Sequence, residues 1–338
     1  MTLFFRPLAF CCAIILLNAN TAGATASYAR RPEVQTFIAE MHDKYGFDRA
    51  RLKRDFSRIK PLPAVIRAVL PPRDPAIRSW QEYRARYVEA QRIALGLRFW
   101  RENQAALAVS SAQSGVPEEI IVAIIGVETI YGRYTGQFGA FAALTTLAFD
   151  YPNAIPETAP ARAALFRHEL EELLLLARES QRNPLSIKGS YAGALGLPQF
   201  LPSSVRLYAI DSDHDGIIDL ENSPTDAIAS VANFLQQHGW KKDGPIVANA
   251  QAEGDKIADL LKQGIAPRLT PTELADYGVT CPDAPAAPAA LIDLVTPQQA
   301  TEYRLGFNNF FVLTRYNRSS FYAMAVNDLA ETLRRAYR

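Results

Sequence analysis

The run Gly115-Val116-Pro117-Glu118-Glu119-Ile120-Ile121-Val122-Ala123-Ile124-Ile125-Gly126-Val127-Glu128-Thr129-Ile130-Tyr131-Gly132 decides how the rest of the chain is read. Pro117 suits the first position of a helix, and Glu118 and Glu119 face the positive end of its dipole. From Ile120 to Val127 the run is apolar all round, which predicts a helix buried on every face. The first polar side chain after it is Glu128. At the end of a buried helix, the negative pole of the dipole and the low dielectric both disfavour a charged carboxylate, so the pKa of Glu128 is expected to rise. An acid that keeps its proton near neutral pH can serve as a general acid. Gly132 and Arg133 are expected to break the helix beside a cleft. Paired with Glu128, Arg133 would lower that pKa instead, and the sequence leaves both outcomes open.

Outward from this segment the pattern stays mainly helical. Residues 27–110 read as an N-terminal helical domain, with Trp80-Tyr83-Tyr87 and Ile93-Leu97-Trp100 at helical spacing and prolines dividing it into short pieces. Residues 111–240 read as a helical core interrupted by a Gly-rich turn region (Gly189 to Gly196) and an Asp-rich loop (Asp211 to Asp219). Residues 241–309 change character, with short β-prone runs and the Ala/Pro stretch from Pro282 to Ala290, and read as a small mixed α/β insertion. Residues 310–338 return to the core: Phe310-Phe311-Val312-Leu313 as a strand or buried turn, then a helix from about Ser320 to Ala336.

The segment around Glu128 resembles the catalytic segment of the family B lytic murein transglycosylases, and the resemblance extends from about Trp80 to the C-terminus. It implies a mainly α, lysozyme-like catalytic domain acting on peptidoglycan glycan strands. Glu128 would be the single catalytic acid and base. It would protonate the bond between N-acetylmuramic acid and N-acetylglucosamine, then deprotonate the muramyl 6-hydroxyl to close a 1,6-anhydro ring. Gly189-Ser190-Tyr191-Ala192-Gly193-Ala194-Leu195-Gly196-Leu197-Pro198-Gln199-Phe200 is similar to a second motif of the family. Glycines there permit tight turns and close approach of a sugar to the main chain. The matching Ser190 and Gln199 would bind substrate or orient Glu128. A third motif is matched at Tyr316, Asn317 and Tyr322, which would line the cleft, and Tyr83 is a further carry-over. Phe234 stands where the family often has tyrosine; packing survives that change and the hydroxyl does not.

Two other functions fit the same sequence. A lysozyme-like hydrolase would place a second carboxylate about 5–9 Å from the first, and Asp150 is the nearest in sequence. A non-catalytic cell-wall-binding protein would keep the fold and lose the chemistry.

Asp211-Ser212-Asp213-His214-Asp215-Gly216-Ile217-Ile218-Asp219 matches an EF-hand loop at its acidic positions, with Gly216 at the sharp turn and Ile217 where a main-chain carbonyl ligates. Position 12 is Asn222 instead of the usual glutamate. Asp226, the first carboxylate beyond it, is the candidate to close the site, and the family's loop is likewise closed late by an aspartate. Ser223-Pro224-Thr225-Asp226 also reads as a helix start capped by Ser223. A structural Ca²⁺ is expected on Asp211, Asp213, Asp215, Ile217, Asp219 and Asp226, with His214 pointing to solvent. No cofactor is required for the chemistry.

Composition sets the frame for these motifs. The chain has 338 residues, 49% of them hydrophobic, and 36 Lys and Arg against 35 Asp and Glu, a formal charge of +1. No long-range field draws in nucleic acid or an anionic membrane, so a polymer partner must be gripped by local contacts. Residues 1–26, with Arg6, an apolar stretch from Pro7 to Leu17 and small residues to Ala26, have the layout of a secretory signal cleaved after Ala24 or Ala26. The apolar run is short of the ~20 residues a membrane span requires, so a monomeric periplasmic protein with no transmembrane anchor in its mature form is expected. Cys11 and Cys12 lie inside the apolar stretch and are poorly placed for lipidation. Loss of the leader leaves Cys281 as the sole cysteine, without a disulfide partner in the chain.

Overall fold

The computed structural model describes residues 27–71 and 79–337; the secretory leader expected over residues 1–26 lies outside them. The chain divides into two compact units between Ile59 and Lys60. In the first, a 3-10 turn (Tyr28–Arg30) precedes α1 (Pro32–Tyr45) and α2 (Arg49–Ser57). Asp48 caps α2 by accepting the N–H of Arg51 at 2.8 Å. Phe37 and Phe56 meet edge to face, ring centres 5.9 Å apart, in a core shared with Val34, Met41 and Leu52.

The second unit begins with α3 (Pro63–Ala68), α4 (Trp80–Tyr87), α5 (Ala90–Glu102) and α6 (Gln104–Ser114), and leads into α7 (Glu118–Thr129). Pro117 is the residue just before α7, one position earlier than its spacing predicts, and Glu118 accepts the indole N–H of Trp100 at 2.6 Å. Every residue from Ile120 to Val127 is buried, as an all-apolar run requires. Full burial of each isoleucine contributes about 1.5–3 kcal/mol, so one charged substitution at Ile124 would cost more than the helix gains locally. Around α7 stand α5, α6, α11 (Pro224–Gln237) and α15 (Ser320–Ala336). Between them the chain forms β1 (Phe138–Gly139), α8 (Ala140–Phe149), α9 (Ala159–Glu179), β2 (Lys188–Gly189) and α10 (Pro202–Tyr208), with β1 and β2 antiparallel.

The mixed segment is an antiparallel sheet in the order β4-β3-β6-β5, formed by β3 (Val247–Ala252), β4 (Val279–Thr280), β5 (Ala290–Leu294) and β6 (Glu302–Gly306). Leu291 and Ala248 both register with Leu305, and α12 (Ile257–Lys262) and α13 (Pro271–Ala275) complete a small core with Leu274 and Phe307. The chain after β5 meets α4 directly: the N–H of Trp80 bonds the carbonyl of Val295 at 2.8 Å.

One expectation about the C-terminal part is overturned. Phe310 to Leu313 lie inside a helix, α14 (Asn308–Tyr316), and form no strand or turn. A short apolar run cannot distinguish the two by periodicity. The deciding feature is Asn309, buried at the start of α14, whose amide accepts from Lys241 N (2.8 Å) and donates to the carbonyls of Lys241 (2.8 Å) and Gly244 (3.0 Å).

Candidate active site

Glu128 ends the apolar face of α7 and is half-buried, whereas its neighbours Val127 and Thr129 are buried. Its carboxyl oxygen Oε1 accepts the hydroxyl of Tyr322 at 2.6 Å. Burial raises the Glu128 pKa from 4.5 to about 7, and the Tyr322 hydrogen bond opposes that rise in part. Among the described residues no cation pairs with Glu128: Arg133 is exposed and forms no ion pair with it. Asp150, half-buried at the end of α8, is not among the groups that shift Glu128.

Tyr322 is placed by the start of α15, where Ser319 caps the helix by accepting the Tyr322 N–H at 3.3 Å. Its ring lies nearly parallel to that of Tyr316, centres 6.3 Å apart. Tyr316, at the end of α14, donates its hydroxyl to the carbonyl of Pro198 at 2.6 Å. Burial and the nearby Glu128 push both phenols well above their ordinary pKa, so both stay protonated donors. Tyr83, on α4, packs on Phe321 at 5.7 Å and on Tyr87 at 5.0 Å, and feels the Glu128 charge. The structure thus gathers Tyr83, Tyr316 and Tyr322 around the carboxyl.

The second motif approaches as a chain of tight turns. Gly189 and Gly136 lie so close that a Cβ on Gly136 would sit 2.2 Å from the Gly189 carbonyl group, so the loops of β1 and β2 pack backbone to backbone. Gln199 has a left-handed backbone (φ 51°), and its amide nitrogen donates to the carbonyls of Thr135 (3.0 Å) and Gly196 (2.9 Å), leaving its oxygen as the available acceptor. Ser190 accepts the N–H groups of Ala192 (3.3 Å) and Ala194 (3.1 Å). Neither Ser190 nor Gln199 touches Glu128 in a hydrogen bond, and Asn317 is exposed at the end of α14. Phe234 is buried with its ring stacked on His238 at 4.1 Å and edge-on to Tyr316 at 4.9 Å, so the residue that lacks a hydroxyl acts as a wall behind Tyr316. Sequence reasoning missed Thr129, Phe321 and the Pro198 carbonyl, whose contacts join segments far apart in the chain.

In the Asp-rich loop, one carboxylate oxygen from each of Asp211, Asp213 and Asp226 lies within 4.8 Å of the others. Asp226 is fully buried in the first turn of α11, with Ser223 as the cap, and accepts the N–H groups of Ser212 (2.8 Å) and Asp219 (2.9 Å). Asp211 Oδ1 is buried without a hydrogen-bond partner. Asp215 accepts the N–H of Ile217 at 2.8 Å, and Asp219 is engaged by the N–H groups of Glu221 and Asn222 and the Asn222 amide. His214 is exposed.

The model of the Transglycosylase SLT domain family matches residues 29–331. The chain belongs to that family. It is 39% identical, over 93% of its length and 86% of the relative's, to membrane-bound lytic murein transglycosylase B of Escherichia coli. Among solved structures it resembles the catenated lytic transglycosylase SltB1 of Pseudomonas aeruginosa, with a TM-score of 0.84 and 42% identity, covering 92% of this chain and all (100%) of the other. It also resembles E. coli lytic transglycosylase Slt35 in complex with calcium, with a TM-score of 0.79 and 37% identity, covering 92% and 95% of the two chains. The mainly helical, lysozyme-like architecture expected for family members is the one observed. Among the described residues no helix is long and apolar enough to cross a membrane.

Proposed function

We propose that the protein is a lytic transglycosylase of peptidoglycan in which Glu128 performs both proton transfers. The observation that carries this reading is a carboxyl with its pKa near 7, touched by one hydroxyl and neither a cation nor a second carboxylate among the described residues. Tyr322 donates to Oε1, so Oε2 is the oxygen that carries the transferable proton. Glu128 gives that proton to the glycosidic oxygen as the C1–O bond of the muramyl residue breaks, and the N-acetylglucosamine side leaves as an alcohol. The substrate's own N-acetyl oxygen bonds to C1 and holds the positive charge. The Glu128 carboxylate, now charged and still bonded to Tyr322, takes the proton of the muramyl 6-hydroxyl as O6 attacks C1 and displaces the acetyl oxygen. The anhydro ring closes, and Glu128 is again protonated. One residue suffices because no water is activated.

Ser190, Gln199, Asn317, Tyr316 and Tyr83 are proposed to hold the strand, the tyrosines by stacking and the polar groups at sugar edges. Mass spectrometry of products from purified sacculi tests the reaction. Anhydro-muropeptides support it, products heavier by one water turn the reading to a hydrolase, and intact sacculi turn it to a binding protein. Glu128→Gln is expected to bind glycan and release nothing.

The Asp-rich loop is proposed to hold a structural Ca²⁺. Three converging carboxylates, one with a buried oxygen lacking any donor, form a hard-oxygen donor set that fits the ion, and the Ile217 carbonyl would add to it. The ion would supply no chemistry to the cleavage. The protein is proposed to act as a monomer in the periplasm after removal of its leader.

A further inference from the structure

The turn that follows Glu128 is unusual in its backbone. Ile130, Tyr131 and Gly132 all have positive φ, at 51°, 59° and 85°, although two of them carry side chains that disfavour that region. Such a turn persists only where its surroundings over-determine it, and two supports are visible. The Tyr131 hydroxyl reaches into a slot between α5 and α7, where a Cβ on Gly96 or Gly126 would meet it at 2.3 or 2.4 Å. The second support is Thr129. Its side chain is fully buried, and its Oγ1 accepts the N–H of Gly132 at 3.0 Å and donates to the carbonyl of Leu197 at 2.9 Å, with the Ile125 carbonyl of its own helix further off at 3.2 Å.

Leu197 belongs to the loop between Gly189 and Phe200, and its own N–H is held by the carbonyl of Leu220 at 2.7 Å. Two residues on, Gln199 ties the same loop to Thr135. One hydroxyl therefore fastens the end of α7 to a loop that is itself fastened at two further points. Released from Leu197, the left-handed turn keeps only the Gln199–Thr135 bond, three residues further on, as a polar tie to that loop, and the carboxyl one residue upstream loses its fixed height beneath Tyr322.

We propose that Thr129 is a positioning residue for Glu128, its hydroxyl locking the turn after α7 to the Leu197 carbonyl so that the carboxyl is presented to Tyr322 and to the substrate. The proposal rests on the reading of Glu128 as the proton donor. The titratable groups facing Glu128 are Tyr322 on α15, Tyr316 on α14 and Tyr83 on α4, with no cation among the described residues. A shifted pH profile in a Thr129 variant would therefore report the surroundings of Glu128 and no competing charge.

The test compares two pairs that differ in one hydroxyl: the wild type against Thr129→Val, and Thr129→Ser against Thr129→Ala. Initial rates on soluble glycan strands are measured from pH 5 to 9 (a range of about two units either side of neutral), alongside melting curves and calorimetric binding of an N-acetylglucosamine tetramer. In each pair, loss of the hydroxyl is expected to lower kcat roughly ten- to hundredfold, with little change in KM. The alkaline limb is expected to move to lower pH, because the water a loosened carboxyl regains reverses desolvation, the larger influence on its pKa, and outweighs the weakened Tyr322 bond. The serine variant is expected to keep most of the wild-type rate, and its alanine counterpart keeps the comparison alive should valine fail to fold. Equal rates and equal pH limbs within either folded pair would overturn the proposal. Full turnover by Glu128→Gln, run in parallel, would instead overturn the reading beneath it.

Discussion

Tyr322 and Glu128, 194 residues apart in the chain, share a 2.6 Å hydrogen bond that joins α15 to the end of α7. This contact tunes the acid in both of its states. In the neutral form it leaves Oε2 to hold the proton, and in the charged form it supplies the single donor to the anion among the described residues. Among those residues it is also the one interaction that lowers the Glu128 pKa against the burial that raises it.

Tyr322→Phe removes that donor, so the Glu128 pKa is expected to climb above its present value of about 7. A charge-assisted hydrogen bond is worth about 1.5–3 kcal/mol, which corresponds to roughly one pH unit or more. The alkaline limb of the rate profile should shift upward, since the acid stays protonated further into base. The maximal rate should fall roughly tenfold or more, because the anion formed after the first proton transfer is left unsolvated. Rates measured across pH for the variant and the parent check both directions.

A raised carboxyl pKa also bears on stability, with a defined sign. Folded Glu128 holds its proton up to about pH 7, whereas the unfolded chain releases it near 4.5. Between those values the folded state binds more protons, so this residue's contribution to stability falls as pH rises. Glu128→Gln removes that penalty. The variant should match the parent near pH 4.5 and exceed it at pH 8 by about 3 kcal/mol. Denaturant melts at the two pH values would show the gap opening; a constant difference would mean that Glu128 is not an elevated acid.

Tyr316 is braced differently from Tyr322. Its hydroxyl goes to Pro198, not to Glu128, so its first task is to hold the loop that bears Gln199. Tyr316→Phe leaves the Pro198 carbonyl without its donor and is expected to cost about 1–3 kcal/mol of stability. The pH limb set by Glu128 should stay in place while affinity for glycan declines. Binding isotherms and pH–rate curves measured together separate this outcome from that of Tyr322→Phe.

The apolar run from Ile120 to Val127 made the buried helix and the raised acid legible in the sequence, because both follow from local pattern and elementary electrostatics. The Ser223 cap was legible for the same reason. Which group would lie beside Glu128 was not, since Arg133 and Tyr322 were both available and only packing between distant helices chooses. Thr129 gave no signal either: a threonine near a helix end ordinarily bonds back to its own helix, as this one does to Ile125 at 3.2 Å, and its shorter bond goes to the Leu197 carbonyl, 68 residues away. The same limit explains α14, where the lock is an asparagine reaching across to Lys241 and Gly244.

The Asp-rich loop can be tested apart from the catalytic carboxyl. Asp213 is exposed and binds only within the loop, to the N–H of Asp215 and the Ser223 hydroxyl, so Asp213→Ala should fold as the parent does. If Asp211, Asp213 and Asp226 hold a calcium ion, saturating Ca²⁺ stabilises the parent by RT ln(1 + [L]/Kd), about 2.7 kcal/mol at a hundred times Kd. The melting temperature should therefore rise with added Ca²⁺, far less with Mg²⁺, whose smaller octahedral shell a flexible loop fits poorly. In Asp213→Ala the rise should vanish while the metal-free melt is unchanged. The rate of glycan cleavage below the melting transition should be the same with and without the ion. A rate that collapses on chelation at a temperature where the protein remains folded would show that the loop does more than hold α11 in place.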